Sequence, residues 1–151
     1  MSQTKTNARK AVVQALYQWQ MTGQSLLEIE LQFEEDERLK GVQKSYFKEL
    51  FHGIPQCVDA IDEVLSEFVD RPVDVIDPVE RAILRLGAYE LMYRPEMPYR
   101  VVINESINLA KHFGADGSHR YVNGILDKVA QQKRAVEIKS KAQGERQKAQ
   151  E

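Results

Sequence analysis

Apolar residues recur every three or four positions along almost the whole chain, which is the pattern of amphipathic α-helices. Thr6 or Asn7 is the expected N-cap of the first helix, and Gly23 its expected end. No segment alternates apolar and polar residues as a half-buried strand would, so the pattern predicts an all-α chain. The apolar stripe of the first helix consists of Ala8, Ala11, Val12, Ala15, Leu16 and Trp19.

Turn and cap residues divide the rest of the chain into further helices. Ser25 and Glu28 have the spacing of a capping box, which predicts that a second helix opens here. Pro55 is expected to interrupt a later helix, because proline lacks a backbone donor and clashes with the preceding turn. Apolar stripes of helical spacing lie at residues 42–54, 58–68, 83–91, 101–110 and 121–129.

The segment from Asp77 to Glu80 is the clearest local signal in the chain. Asp77 has the position of an N-cap, Pro78 fits the first helical position, and Glu80 completes a capping box. The helix that follows is apolar around much of its circumference, which predicts a place near the centre of the domain. Gly87 within it predicts close contact with a neighbouring helix.

The charges are unevenly distributed, although the 151 residues carry a net charge of only −2. Residues 1–22 hold three basic residues and no acid, whereas residues 24–37 hold six acids and no base. Residues 59–80 hold eight acids against Arg71 alone, and residues 81–134 hold nine basic residues against five acids. The chain therefore forms one basic face if its two basic segments meet in space. Ordinary solvated helix faces would account for the same charges.

Candidate chemistry is sparse. Cys57 cannot form an internal disulfide, and His52, His112 and His119 lack the spacing of a helical metal pair. Phosphate-binding and dinucleotide-binding loops are not found, nor is a nucleophile elbow. A secretory signal and an apolar run long enough to cross a bilayer are also missing. We therefore expect a cytoplasmic protein that is not an enzyme and uses no metal or cofactor.

Seven segments in order carry a pattern that identifies a family. They include the runs DPVERAILR, PYRVVINES and SHRYVNGILDK. Together they resemble the NusB family of bacterial transcription antitermination factors, over about residues 7–130. The segments are Ala8–Trp19, Tyr46–Gly53, Asp77–Arg85, Ala88–Leu91, Pro98–Ser106, Leu109–Gly114 and Ser118–Lys128.

The resemblance implies a compact seven-helix, two-lobed bundle without catalytic activity. It implies binding of boxA-type RNA from ribosomal RNA leaders together with the ribosomal protein NusE, within an antitermination complex with RNA polymerase. Residues 7–132 would form the RNA-binding domain, preceded by a flexible basic N-terminus at 1–6. Residues 133–151 are polar and are expected to form a frayed or disordered tail. The sequence is compatible with a free monomer and with a homodimer.

Basic residues near the first helix and the last loop are the RNA-binding candidates. A phosphate at these places would be attracted by the basic side chains and by the amides of a helix N-terminus. Tyr121 has two interpretations, a stacking surface for an unpaired base or a core residue. The resemblance implies an arginine-rich N-terminus, whereas Thr4, Thr6 and Asn7 interrupt the basic residues here. The candidates are Lys5, Arg9, Lys10, Lys111, Arg120 and Tyr121.

Four residues are candidates for the protein partner. Tyr17 and Glu80 match family positions that resemble the interface with the ribosomal protein, and Arg81 and Arg85 are expected to flank that surface. Glu80 would have a purely structural role if it only caps its helix. Two other classes compete with an RNA–protein adaptor: a protein scaffold without RNA affinity, and a module related to certain ribosomal RNA methyltransferases.

Overall fold

The structure, a computed structural model, describes the backbone of residues 3–150 and the side chains of residues 3–145. This part of the chain forms eight α-helices and one 3-10 turn, Val73–Val75. The all-α prediction is confirmed, with one helix more than the seven expected. The helices are α1 (Gln3–Thr22), α2 (Leu26–Glu35), α3 (Lys44–Gln56), α4 (Val58–Ser66), α5 (Pro78–Tyr93), α6 (Tyr99–Phe113), α7 (Ser118–Lys133) and α8 (Ala135–Gln150).

Helix α5 lies at the centre, as its apolar circumference predicts. Every residue from Ala82 to Leu91 is buried, and α5 packs against α1, α3, α4, α6 and α7. Helices α1, α2 and α3 form one lobe, and α6 and α7 pack beside α5 in the other. None of the described helices is long and apolar enough to cross a bilayer.

Gly87 is a point of close approach between α5 and its neighbours α6 and α7. A Cβ atom at this position would lie 2.5 Å from Cδ1 of Leu126 and 2.9 Å from Oγ of Ser106. Any larger side chain would push α6 and α7 away from α5. The predicted close contact at Gly87 is confirmed.

Two predicted helix caps are also present. Oδ1 of Asp77 accepts hydrogen bonds from the amides of Val79 and Glu80, at 2.9 and 3.2 Å. The hydroxyl of Ser25 accepts one from the amide of Glu28 at 3.2 Å. These bonds satisfy amide donors that a helix N-terminus otherwise leaves without partners.

Residues 3–6 of the segment that the sequence predicts to be a flexible N-terminus, 1–6, belong to helix α1. Helix α1 begins at Gln3, so neither Thr6 nor Asn7 is its cap. The segment is tied to the bundle, since the carbonyl of Thr4 accepts from the amide of Gln43 at 3.1 Å. Oγ1 of Thr6 donates to Glu105 at 3.0 Å. Residues 1 and 2, which belong to the same prediction, lie outside the described residues.

The predicted break at Pro55 lies two residues further along. Helix α3 carries Pro55 in its last turn and ends at Gln56, and α4 begins at Val58. Near a helix end, the missing proline donor removes only one of the last intrahelical bonds. The break therefore falls at Cys57 rather than before the proline.

The C-terminal segment, which the sequence predicts to be a frayed or disordered tail, has helical backbone from Ala135 to Gln150. Arg134, at the junction of α7 and α8, is 7% exposed and donates to the carbonyls of Leu91 at 2.9 Å and Met97 at 2.8 Å. It also donates to the carbonyls of Glu90 at 3.1 Å and Arg94 at 2.8 Å. These bonds satisfy the C-terminal carbonyls of α5 and fasten the start of α8. Residue 151 lies outside the described part.

Candidate nucleic-acid and protein interface

Helices α1 and α6 lie side by side and run in the same direction. Thr6 in the first turns of α1 bonds to Glu105 in the middle of α6, and further along Val13 and Tyr17 of α1 line one groove with Phe113 at the end of α6. Lys10, midway between Thr6 and Val13, is therefore at the level of the second half of α6, where Lys111 is exposed. Each of the two helices thus carries a basic residue that is at least partly open to solvent, Lys10 on α1 and Lys111 on α6.

The loop after α6 leads directly to the start of α7. Gly117 has a φ of 81°, a left-handed conformation that glycine adopts without strain. The amides of Ser118 and Arg120 already donate to the carbonyls of Ala115 and Gly117, at 3.0 and 3.1 Å. The side chain of Arg120, which is exposed, is thus the group at this helix start best placed to attract a phosphate.

Tyr121 packs against the core in part, and its role as a stacking surface for a base stays a prediction. Its ring is half-buried and packs against the hydrophobic core, while its edge reaches the surface. The hydroxyl donates to Oδ1 of Asp70 at 3.4 Å, and Cζ of Arg71 lies 5.4 Å from the ring centroid. Burial raises the pKa of Tyr121, and the nearby carboxylates of Asp70 and Glu80 act in the same direction.

The burial of Arg9 contradicts the prediction that this residue contacts RNA. Its side chain is enclosed by the bundle, with 1% of the residue exposed. Nε donates to Oε1 of Glu90 at 2.8 Å and Nη2 to Oε2 at 3.1 Å, a bidentate pair. Nη1 lies 3.9 Å from Glu105, and Nη2 also donates to the hydroxyl of Tyr46 at 3.4 Å. Arg9 therefore joins α1, α3, α5 and α6 from within.

Lys5 lies at the edge of the same buried cluster. Its Nζ is 5.4 Å from the ring centroid of Tyr46, and Cζ of Arg9 is 5.3 Å from the same point. Burial alone would lower the pKa of Arg9, but its bonds to Glu90 outweigh that effect and the pKa is raised. Burial raises the pKa of Tyr46, and the charge of Glu90 raises it further. Lys5 is half-buried, so part of its side chain reaches the surface.

An apolar groove of about 400 Å³ opens beside the basic helices. Tyr17 projects into it with 41% of the residue exposed, and Met21 is 55% exposed. Exposed aromatic and methionine side chains around a groove are typical of a protein-binding surface. We call it the α1–α6 groove, lined by Val13, Gln14, Tyr17, Gln18, Met21, Thr22, Arg38, Val79 and Phe113.

The other partner candidates differ in exposure. Glu80 is half-buried in the first turn of α5, next to Val79 of the groove. Arg81 is also half-buried and donates to the carbonyl of Asp74 at 2.8 Å. The prediction that Arg85 flanks the partner surface is wrong, because Arg85 is 9% exposed and forms an ion pair with Asp62 at 2.7 Å. Its guanidinium holds α4 against α5 rather than facing a partner.

The beginning of α5 connects the two candidate surfaces. Val79 lines the α1–α6 groove, while the carboxylate of the adjacent Glu80 is near enough to act on the pKa values of Arg71 and Tyr121. Sequence reasoning missed Asp70, Arg71, Met21 and Phe113, since none has a partner visible from spacing within one helix.

Comparison with known proteins agrees with this architecture. A model of the NusB family matches residues 6–131. The transcription antitermination protein NusB of Nitrosococcus oceani is 54% identical over 142 residues, covering 94% of this chain and 95% of that protein. The protein of the same name from Pasteurella multocida is 51% identical over 126 residues, covering 83% of this chain and 88% of that protein.

Solved structures share the arrangement of helices. T. maritima NusB has a TM-score of 0.73 at 30% identity, covering 87% of this chain and 93% of that one. NusB from a crystal structure of antitermination factors NusB and NusE in complex with dsRNA has a TM-score of 0.76 at 24% identity. That match covers 85% of this chain and 97% of the other, and it supports the fold. Because the family model spans the bundle that positions both surfaces, the chain belongs to the NusB family.

Proposed function

We propose that this protein is a non-catalytic transcription antitermination factor. It binds boxA-type RNA of ribosomal RNA leaders together with the ribosomal protein NusE, in the cytoplasm, where nascent RNA is made. The pair then forms part of an antitermination complex with RNA polymerase. Relatives that align over nearly all of this chain are named for transcription antitermination, and one related structure contains NusE and RNA.

The observation that carries the proposal is an apolar groove between two helices, α1 and α6, that both carry basic residues. Tyr17 lines the groove, while Lys10 on α1, Lys111 on α6 and Arg120 at the start of α7 are half-buried or exposed. Phosphate contacts from the cations position the RNA, and stacking on Tyr121 contributes base preference. The groove receives NusE, and the RNA binds the resulting pair.

Two sets of variants separate the surfaces. Binding of a fluorescein-labelled boxA-type oligonucleotide is measured by anisotropy across a range of salt concentrations, with and without NusE. Lys10→Ala combined with Arg120→Ala should lower the slope of log affinity against log salt by about 1.4, at about 0.7 per lost phosphate contact. The same variant should bind NusE as the unaltered protein does.

Tyr17→Ala should give the converse result. Truncation of a central aromatic anchor costs about 2 kcal/mol or more, which is roughly a 30-fold loss of NusE affinity. Binding of RNA in the absence of NusE should stay unchanged. Two results would contradict the proposal: an unaltered protein that binds NusE but shows no measurable RNA binding, and an RNA affinity that does not change with salt concentration.

A further inference from the structure

The connection between α4 and α5 carries an arginine that neither candidate surface includes. Arg71 is the only basic residue among the eight acids of residues 59–80. Its Cζ lies 5.4 Å from the ring centroid of Tyr121. A guanidinium at this distance makes a cation–π contact with the tyrosine ring.

Asp70 holds both groups in place. Its Oδ1 accepts from Nε of Arg71 at 2.9 Å, and its Oδ2 accepts from Nη2 at 3.3 Å. The same Oδ1 accepts from the hydroxyl of Tyr121 at 3.4 Å. These three side chains form a unit, here named the Asp70–Arg71–Tyr121 cluster, at the junction of α7 with the α4–α5 connection.

The ion pair within the cluster is open to exchange. The side chains of Arg71 and Asp70 are 49% and 69% exposed. Pairs this exposed contribute little to stability, and salt screens them. An incoming phosphate offers the guanidinium the same bidentate geometry that the carboxylate does. Arg71 can therefore move from Asp70 to a phosphate without leaving a buried charge unpaired.

We propose that Arg71 is a further RNA-binding residue, which exchanges Asp70 for a phosphate and thereby frees the ring face of Tyr121 for a base. The inference rests on the proposed RNA-binding function and extends its surface onto the α4–α5 connection. Asp70 acts as the internal anion that the RNA replaces. Phosphate and base belong to one nucleotide or to adjacent ones, because the guanidinium and the ring are neighbours.

Arg100 offers a matched control at the other end of α6. Its Cζ lies 5.8 Å from the ring centroid of Tyr99, and it pairs with Glu145 at 3.4 Å. The side chain of Arg100 is 56% exposed, which is close to the exposure of Arg71. Arg100, Tyr99 and Glu145 thus repeat the arginine, tyrosine and carboxylate of the cluster. Thirteen residues of helix, about 20 Å, separate Arg100 from the end of α6 that meets α7.

The test compares three single variants of the full chain, each bound to NusE, by titration of a labelled single-stranded boxA-type oligonucleotide. Arg71→Ala should weaken binding about three- to tenfold and lower the salt slope by about 0.7, the loss of one phosphate contact. Asp70→Asn should tighten binding several-fold, because it frees Arg71 and removes a competing negative charge. Arg100→Ala should change neither quantity appreciably.

Three results would overturn the inference. Arg71→Ala could behave as Arg100→Ala does, Asp70→Asn could weaken binding, or both arginine variants could lose affinity equally through net charge alone. If the first occurs while Lys10→Ala with Arg120→Ala still loses RNA, the proposed function stands and only the role of Arg71 fails. If the unaltered protein binds no RNA, both fail together. Far-UV circular dichroism checks that each variant is folded.

Discussion

Two arginine–tyrosine pairs in this protein have nearly the same geometry and opposite surroundings. Arg9 lies 5.3 Å from the ring of Tyr46, and Arg71 lies 5.4 Å from the ring of Tyr121. Carboxylates accompany both pairs. Arg9 is 1% exposed, however, whereas the side chain of Arg71 is 49% exposed.

The difference teaches that burial, more than chemistry, decides what such a pair does. Within the bundle the partners of Arg9 are fixed, because a charge left alone there is very costly. At the surface water and salt replace each partner readily, so Arg71 is free to exchange one anion for another. The first pair holds helices together, and the second is suited to recognition.

The largest expected effect is on stability, at Arg9. Arg9→Ala leaves Glu90 and Glu105 buried without their cation, and we expect a loss of about 3–5 kcal/mol in the free energy of unfolding. Urea denaturation measures this loss, and Lys10→Ala, one residue along, is the control and should change stability little. A stable Arg9→Ala protein that has lost RNA affinity would show instead that Arg9 faces the nucleic acid.

A smaller effect is expected from the pKa of Tyr46, which burial and Glu90 raise. Because the folded state holds this proton more tightly than the unfolded state, stability is fully present below about pH 10 and falls as the pH rises further. Tyr46→Phe should make this fall less steep. Urea midpoints measured across that alkaline range test the prediction, and equal slopes for the two proteins would refute it.

The smallest effect on stability is expected at the exposed pair. Arg71→Ala and Asp70→Asn should leave the urea midpoint at that of the unaltered protein, at low and at high salt, since solvent replaces the lost contact. Their consequences should be confined to RNA binding. A clear drop in midpoint for Arg71→Ala would mean that the cluster stabilises the fold, and the contrast with Arg9 would then disappear.

Much of the fold was predictable because it depends on local pattern. The helical spacing of apolar residues, the cap at Asp77 and the glycine at position 87 each act through neighbours in sequence or through one crowded contact. The burial of Arg9 also had a signal that was passed over. Val12, Val13 and Leu16 follow it at intervals of three, four and seven, which places Arg9 on the buried face of α1.

The candidate sites were less predictable because their contacts join distant segments. Arg85 pairs with Asp62 on the preceding helix, and Tyr121 meets Asp70 fifty-one residues away. No periodicity within one helix reports such pairings. The C-terminal helix shows the same limit, because its anchor at Arg134 depends on carbonyls of α5 and the loop that follows it.

The first turn of α5 has a thermodynamic consequence for assembly. Val79 borders the groove and the charge of Glu80 acts on the pKa values of Arg71 and Tyr121, so under the proposed function one short stretch of backbone would serve two ligands. Linkage makes such an arrangement symmetric: any gain in RNA affinity caused by the protein ligand is matched by an equal gain for that protein caused by RNA. Either molecule arriving first would then prepare the chain for the other to the same degree.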